Sequence, residues 1–75
     1  MIGTIETLFG REGNGRIHLL FVEETTMRRW KCIASLAFDG TLPAIGMRSM
    51  AVGTGITGSD LEPVFFFDSI TAVKV

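Results

Sequence analysis

Two neighbouring segments of alternating apolar and polar residues constrain the fold of this chain most strongly. Residues 16–22 read Arg-Ile-His-Leu-Leu-Phe-Val and residues 28–36 read Arg-Arg-Trp-Lys-Cys-Ile-Ala-Ser-Leu, with the polar link 23–27 between them. Because successive side chains of a strand point to opposite faces, this pattern predicts a hairpin that supplies one wall of a hydrophobic core. The residues predicted to form that wall are Ile17, Leu19, Phe21, Trp30, Cys32, Ala34 and Leu36.

The opposite face of the same hairpin is predicted to be basic. The chain carries seven Lys and Arg residues against eight Asp and Glu, so a global attraction to polyanions is not expected. Any such attraction must come from a local cluster of cations. The residues predicted to form it are Arg16, His18, Arg29 and Lys31 on the hairpin, Arg11 in the loop before it and Arg48 at the start of a later strand.

Nine glycines and two prolines divide the chain into five segments rich in β-branched and aromatic residues. Besides the two segments of the hairpin, these are residues 2–9, 47–57 and 64–75. The loop 10–15 contains Asn14-Gly15, a dipeptide typical of tight hairpin turns. The pattern predicts a single all-β domain over residues 1–75, a small five-stranded antiparallel barrel with at most one short helical turn.

Residues 27–38 also fit a helix, since five of their apolar residues would then share one face. Thr25 could cap the start of that helix and Gly40 could end it. As a strand, the same segment aligns alternate apolar residues from Trp30 to Phe38 on one face. The strand is the preferred interpretation, and the helix stays open as an alternative.

The chain is more apolar than a domain of its size can easily bury. Folding at this size buries only about 60% of the surface of the unfolded chain, yet 47% of the residues are hydrophobic. We therefore expect a homo-oligomer. Phe65, Phe66 and Phe67 make both faces of the last strand apolar, which predicts a central strand or a subunit interface. Cys32 is expected to be a buried hydrophobe rather than a reactive thiol.

The sequence predicts no catalytic or metal site. Residues 53–58 match G-x-G-x-x-G but lack the following helix and acidic residue of a dinucleotide site, so we interpret them as a bent strand. One histidine, His18, and one cysteine cannot supply the four ligands of a zinc site. We expect neither enzymatic activity nor a cofactor. Since no signal-peptide or membrane-spanning pattern is present, we expect a cytoplasmic protein without a membrane partner.

The order of these segments resembles the OB-fold, the five-stranded Greek-key barrel of many single-stranded nucleic-acid binders. The resemblance spans nearly the whole chain. It is carried by Ile2-Gly3-Thr4-Ile5-Glu6, by residues 15–24, by Arg29-Trp30-Lys31-Cys32, by residues 42–48 leading into Val52-Gly53-Thr54-Gly55, and by Phe67-Asp68-Ser69-Ile70-Thr71-Ala72-Val73. It implies ligand contact on the second and third strands and in the loops 10–15 and 57–63. The closing strand also resembles that of SH3-like and Sm-like barrels, whose members often assemble into rings.

The leading hypothesis is non-catalytic binding of single-stranded DNA or RNA through the cations of the hairpin. An alternative of another class is a small structural or regulatory protein, of the kind found in phages and mobile elements, that binds itself or a protein partner through residues 65–67. A small-molecule pocket at an oligomer interface is a third and less favoured hypothesis. An exposed ring that could stack on bases is expected among Phe9, Phe38 and Phe66.

Overall fold

The structure is a computed structural model, and it describes residues 1–11, 16–58 and 63–73 of the 75-residue chain. The strands in these residues form an all-β, closed barrel, and no helix occurs among them. Hence no described segment is a helix that is long and apolar enough to cross a membrane. The strands are β1 (Ile2–Arg11), β2 (Ile17–Glu23), β3 (Arg29–Ala34), β4 (Arg48–Gly58) and β5 (Pro63–Ala72).

The strand order around the barrel is β1-β2-β3-β5-β4, and β4 closes the barrel by pairing with β1. Strands β4, β1, β2 and β3 therefore follow the Greek-key order, in which a fourth strand returns to lie beside the first. Strand β5 fills the gap between β3 and β4, parallel to β3 and antiparallel to β4. The predicted class, a small and mostly antiparallel five-stranded barrel, is confirmed. The parallel β3–β5 pair is a feature that the sequence pattern does not predict.

The hairpin of β2 and β3 supplies much of the core, as the alternation predicts. Leu19 lies opposite Cys32 and Phe21 lies opposite Trp30, and all four side chains are buried. Trp30 is therefore an inward residue, and the alternative of a helix over residues 27–38 is wrong. The rest of the core cluster consists of Ile5, Ala34, Ala51, Phe67 and Ile70.

Strand β3 ends earlier than the sequence pattern predicts. The Ser35 N–H donates to the Phe67 carbonyl, and a turn closed by the Phe38 N–H and the Ser35 carbonyl then reverses the chain. Leu36, predicted to face the core, is 90% exposed because this turn follows Ala34 directly. Phe38 packs on the core instead, with its ring edge-on to that of Phe67 at a centroid distance of 5.0 Å.

Strand β1 contains two bulges that wrap it around the barrel. Its register with β2 shifts at Glu6 and again at Phe9, each of which is an extra residue with no partner in β2. A bulge interrupts the alternation of a strand and redirects a side chain. Alternation of buried and exposed side chains therefore stops after Ile5, which is buried, since Leu8 and Phe9 are 46% and 55% exposed. Gly10, with φ of 83°, follows the second bulge.

Strand β5 is paired on both sides, by β3 and by β4, so its predicted central position is confirmed. Residues 53–58 lie in β4, and the register irregularity at Gly53 agrees with the predicted bend. The predicted Asn14-Gly15 turn lies outside the described residues, as do residues 59–62 of the last loop.

Candidate nucleic-acid interface

The outward side chains of β2 and β3 form a surface that is part apolar and part basic. Leu19, Phe21 and Cys32 point into the barrel, so the residues that alternate with them point outward. The register brings the outward residues of the two strands opposite one another in three pairs. We name this set the β2–β3 outer face. It consists of His18 opposite Ile33, Leu20 opposite Lys31, and Val22 opposite Arg29.

Phe9 extends the β2–β3 outer face from the neighbouring strand. It is the extra residue of the second bulge in β1, and the next residue, Gly10, pairs with His18. The bulge therefore delivers the exposed ring beside the outward residues of β2. A groove of about 330 Å³ results, lined by Phe9, His18, Leu20 and Lys31. It combines an exposed aromatic ring with an apolar side chain, an imidazole and an ammonium group.

Two polar groups of the groove have no polar partner within the part of the chain that the structure describes. The Lys31 side chain is exposed and forms no hydrogen bond or ion pair there. The Nε2 atom of His18 is shielded from solvent and also lacks a partner in the described segments. An anionic ligand could therefore approach Lys31 without displacing a carboxylate of the protein.

Arg29 lies on the β2–β3 outer face as predicted, but a carboxylate holds it. Its Nε donates to Glu6 Oε2 at 2.9 Å. Glu6 is the extra residue of the first bulge in β1, and its side chain reaches across β2 to make this contact. The two side chains are 67% and 35% exposed, and a pair so exposed contributes at most about 1 kcal/mol. The charge of Arg29 is thus partly neutralised.

Arg48 lies on β4, two strands away from β2, and a carboxylate holds it as well. Its Nε and Nη2 donate to Glu24 Oε1 and Oε2 at 2.7 and 2.9 Å, in a bidentate pair. The hydrogen bond from Arg48 lowers the pKa of Glu24 below its ordinary value. Arg48 lies opposite Thr4 of β1, and Thr4 lies opposite Val22 of the β2–β3 outer face, so Arg48 continues this row about 10 Å from Val22. Arg48 is therefore a neighbour of the face rather than a member of it.

Arg16 and Arg11 lie near the end of β2 that carries His18. Arg16 directly precedes β2, is half-buried and is engaged in an interaction within the chain. Arg11 ends β1 and pairs with Ile17 through the backbone, while its side chain lies outside the described structure. The backbone therefore places both residues at the same end of the hairpin as the groove.

The turn between β2 and β3 holds Trp30 in the core. The indole N–H of Trp30 donates to Glu23 Oε1 at 3.2 Å, and the Thr26 hydroxyl donates to the same oxygen at 2.9 Å. These hydrogen bonds, that of Trp30 first, lower the pKa of Glu23. The guanidinium of Arg28 lies 4.3 Å from the centroid of the Trp30 ring, a cation–π contact. Since the ring is only 8% exposed and the exposed Arg28 side chain lies over it, base stacking on Trp30 would require Arg28 to be displaced.

The three phenylalanines predicted as an interface are distributed over both faces of β5. Phe67 is fully buried in the core, and Phe65 is partly buried against it. Phe66 lies opposite Ile33 and is half-buried, so it continues the β2–β3 outer face onto β5. Phe67 thus offers no ring to a partner, and an interface through residues 65–67 stays a prediction.

Burial perturbs the Cys32 thiol more strongly than any other titratable group among the residues that the structure describes. It is fully buried, and desolvation raises the pKa of its thiol to about 12. At neutral pH the thiol is therefore neutral and a poor nucleophile, as expected for a buried hydrophobe. In residues 1–11, 16–58 and 63–73, no three His, Cys, Asp or Glu side chains come together as metal ligands.

The sequence prediction of the site considered only charged residues and missed the apolar residues of the β2–β3 outer face. The alternation that places His18 outward also places Leu20 and Val22 outward. Phe9 is one of the rings expected at a rim, but strict alternation does not place it beside His18. The sequence feature that could have indicated the bulge is the glycine that follows it. Gly10 has a positive φ, which is typical of such irregularities.

No family model, no curated protein and no solved structure matches this chain.

Proposed function

We propose that this chain is a non-catalytic binding module of the OB type whose ligand is single-stranded nucleic acid. The strand lies across the β2–β3 outer face, with one base against Phe9 and a phosphate near Lys31. The observation that carries the proposal is the exposed Phe9 ring, which a bulge holds beside an ammonium group without a partner in the described residues.

The OB arrangement is supported by the strand order. OB barrels are five-stranded Greek-key barrels, and here β4, β1, β2 and β3 follow the Greek-key order. Ligands of such barrels bind on the second and third strands and on the adjoining loops. Three of the four residues that line the groove lie on those strands, and the fourth, Phe9, lies near the end of β1. The SH3-like or Sm-like alternative has no support of this kind.

The exposed ring favours a single strand over a duplex. Stacking of a base on an aromatic side chain contributes about 1–3 kcal/mol per base and tolerates any base. In a duplex the faces of the bases are already occupied by their neighbours, so the Phe9 ring would find no free face. Leu20 beside it adds apolar contact at the floor of the groove.

The electrostatic contribution is local and modest. Lys31 can bind a phosphate directly. Arg29 can bind one only if its ion pair with Glu6 breaks first. For single strands, each neutralised phosphate adds about 0.7 to the slope of log affinity against log salt concentration. With one or two such contacts we expect a slope of about −0.7 to −1.4 and moderate affinity.

Fluorescence anisotropy of labelled oligonucleotides tests the proposal. Oligo(dT), oligo(rU) and a duplex of equal length are titrated with the protein at two salt concentrations. We expect the single strands to bind more tightly than the duplex. Phe9→Ala should weaken binding by about fivefold to a hundredfold, and Lys31→Ala should reduce the salt slope by about 0.7.

Leu36→Ala is the matched control, because Leu36 is an apolar residue that is 90% exposed and lies outside the face. This variant should bind as the wild type does. Absence of binding by the wild type at high micromolar concentration would contradict the proposal and favour the interaction protein. Unchanged binding by the Phe9→Ala variant would also contradict the proposal, since a base is proposed to stack on the Phe9 ring.

A further inference from the structure

The β2–β3 outer face continues onto β5 in register. Ile33 lies opposite His18 on one side and opposite Phe66 on the other. The residues that alternate with Ile33 and Phe66 include Cys32 and Phe67, which are buried in the barrel, so both side chains point outward. Together with the exposed ring from β1, they form a row across four strands. We name it the outer row, and it consists of Phe9, His18, Ile33 and Phe66.

An aromatic ring stands at each end of the outer row. Phe9 is 55% exposed at the β1 end, and Phe66 is half-buried at the β5 end. On the side away from Ile33, Phe66 lies opposite Gly55 of β4, which has no side chain to cover it. A methyl group placed at Gly55 would meet no atom of the described residues within 4 Å, so the space there is open. The position of Phe66 therefore borders open space on the outside of the barrel.

A phosphate contact lies beside the middle of the outer row. Lys31 precedes Ile33 by two residues on the same face of β3, so it flanks the row between the two rings. The charged residues beyond the other flank, Asp68 and Arg16, are engaged in interactions within the chain. A bound strand of nucleic acid should therefore place its phosphates on the Lys31 side and its bases over the row.

The rings at the two ends are too far apart for neighbouring stacked bases. Phe9 lies on β1 and Phe66 on β5, three strands away around the barrel. Neighbouring strands are about 4.8 Å apart, so the two positions are about 14 Å apart along the surface. Stacked bases of one strand are only about 3.4 Å apart. Two bases on these rings must therefore belong to an extended strand, with about one nucleotide or more between them over His18 and Ile33.

We infer that Phe66 is a second stacking site for the single strand, which crosses β2, β3 and β5 along the outer row with one base on each ring. The inference rests on the proposed function, because the first base is the one against Phe9. It assigns Phe66 to the ligand rather than to the subunit interface that the sequence pattern predicts for residues 65–67. The footprint is then about three nucleotides or more, compatible with the roughly 4–16 nucleotides that OB barrels cover.

Anisotropy titrations with oligo(dT) of two to eight nucleotides test the second site. The affinity of the wild type should rise steeply with length, because a longer strand occupies both rings at once. Phe66→Leu keeps an apolar side chain beside Ile33 but removes the ring. It should weaken the binding of the octanucleotide by about fivefold to a hundredfold. It should affect the dinucleotide much less, since a dinucleotide can still stack on Phe9.

Phe66→Trp is the rescue variant, because it restores a ring at the same place. It should bind the octanucleotide about as tightly as the wild type, and a stacked base should quench the added indole. Trp30 should respond less, since it is 8% exposed and Arg28 lies over it. Met50→Ala is the control and should bind normally. It removes an exposed apolar side chain from β4 opposite Thr71, about 17 Å along β5 from Phe66.

Three results would overturn the inference. The first is unchanged binding of the octanucleotide by Phe66→Leu while Phe9→Ala weakens it, which would leave the proposed function intact. The second is equal weakening in Phe66→Leu and Phe66→Trp, which would indicate a structural role for the side chain. The third is an added indole that bound oligonucleotide does not quench, a result that decides the question even if Phe66→Leu is too unstable to titrate. Failure of the wild type to bind any of these oligonucleotides would overturn the proposed function together with the inference.

Discussion

Arg29 donates through Nε to Glu6 Oε2 at 2.9 Å, across the outward side of β2. The alternation of β3 places the cation on the β2–β3 outer face, and a bulge in β1 places the carboxylate beside it. A phosphate that binds Arg29 must therefore displace an existing partner. The negative charge of Glu6 should therefore lower the affinity of the β2–β3 outer face for a phosphate.

Glu6→Gln should strengthen the binding of single-stranded nucleic acid. The substitution removes one negative charge from the face and leaves Arg29 free to meet a phosphate. An exposed charge contact contributes up to about 1 kcal/mol, so we expect a gain of about twofold to fivefold at low salt. Anisotropy titration with oligo(dT) measures this gain, and it should shrink as the salt concentration rises.

Glu24→Gln is the matched control for this substitution. It makes the same change of net charge and also frees an arginine, since Glu24 pairs with Arg48, which lies about 10 Å from Val22 beyond the margin of the face. If nucleic acid binds on the β2–β3 outer face, Glu24→Gln should change the affinity much less than Glu6→Gln. Equal gains in the two variants would indicate a response to net charge alone and would count against a local site.

Local alternation predicts the barrel and most of the hairpin core because those features depend on residues close together in sequence. It fails at Leu36 because the turn after β3 depends on a distant residue. The Ser35 hydroxyl donates to the carboxylate of Asp68 in β5, a side chain far along the chain. The parallel β3–β5 pair that brings Asp68 there has no local signature in either strand.

The candidate site could be predicted only in part, for a similar reason. The outward placement of His18, Arg29 and Lys31 follows from alternation, and the structure agrees with it. The positions of Glu6 and Phe9 depend on two bulges, which arise from the need of β1 to curve between β2 and β4. Since a bulge adds one residue, it changes the face on which every later side chain of the strand lies.

The Cys32 thiol should be unreactive in the folded protein. It is fully buried, and burial raises its pKa to about 12, so the reactive thiolate is scarce at pH 8. We expect a thiol reagent such as dithionitrobenzoate to modify it at least about a hundredfold more slowly than it modifies the protein in denaturant. Rapid modification under native conditions would show that the core opens readily at β3.

Stability should decline in acid through Glu23. The pKa of Glu23 in the folded protein lies below its ordinary value of 4.5, chiefly because the Trp30 indole donates to it. The charged carboxylate therefore stabilises the fold fully above about pH 4.5, and this contribution is lost as the pH falls through the lower folded pKa. Urea midpoints measured between pH 6 and pH 3 should show this decline.

Glu23→Gln should make the urea midpoint less dependent on pH in that range, because the titrating group is gone. The pKa of Glu24 is also lowered, through its contact with Arg48, so Glu24→Gln should remove a separate part of the same dependence. The double variant should have the flattest profile. A profile that Glu23→Gln leaves unchanged would show that the hydrogen bond from Trp30 does not couple to folding.

Gly53→Ala should destabilise the barrel far more than Gly46→Ala. A Cβ at residue 53 would lie 1.9 Å from the Phe66 carbonyl oxygen and 2.7 Å from Cζ of Phe65, so strands β4 and β5 would have to separate locally. We expect a loss of about 3 kcal/mol or more. Gly46 has a φ of 85°, and a methyl group there would meet no atom within 4 Å, so only backbone strain of about 1–2 kcal/mol applies. Urea unfolding at constant m-value measures the loss of unfolding free energy in each variant. Equal losses would mean that the β4–β5 contact at Gly53 can relax to admit a methyl group.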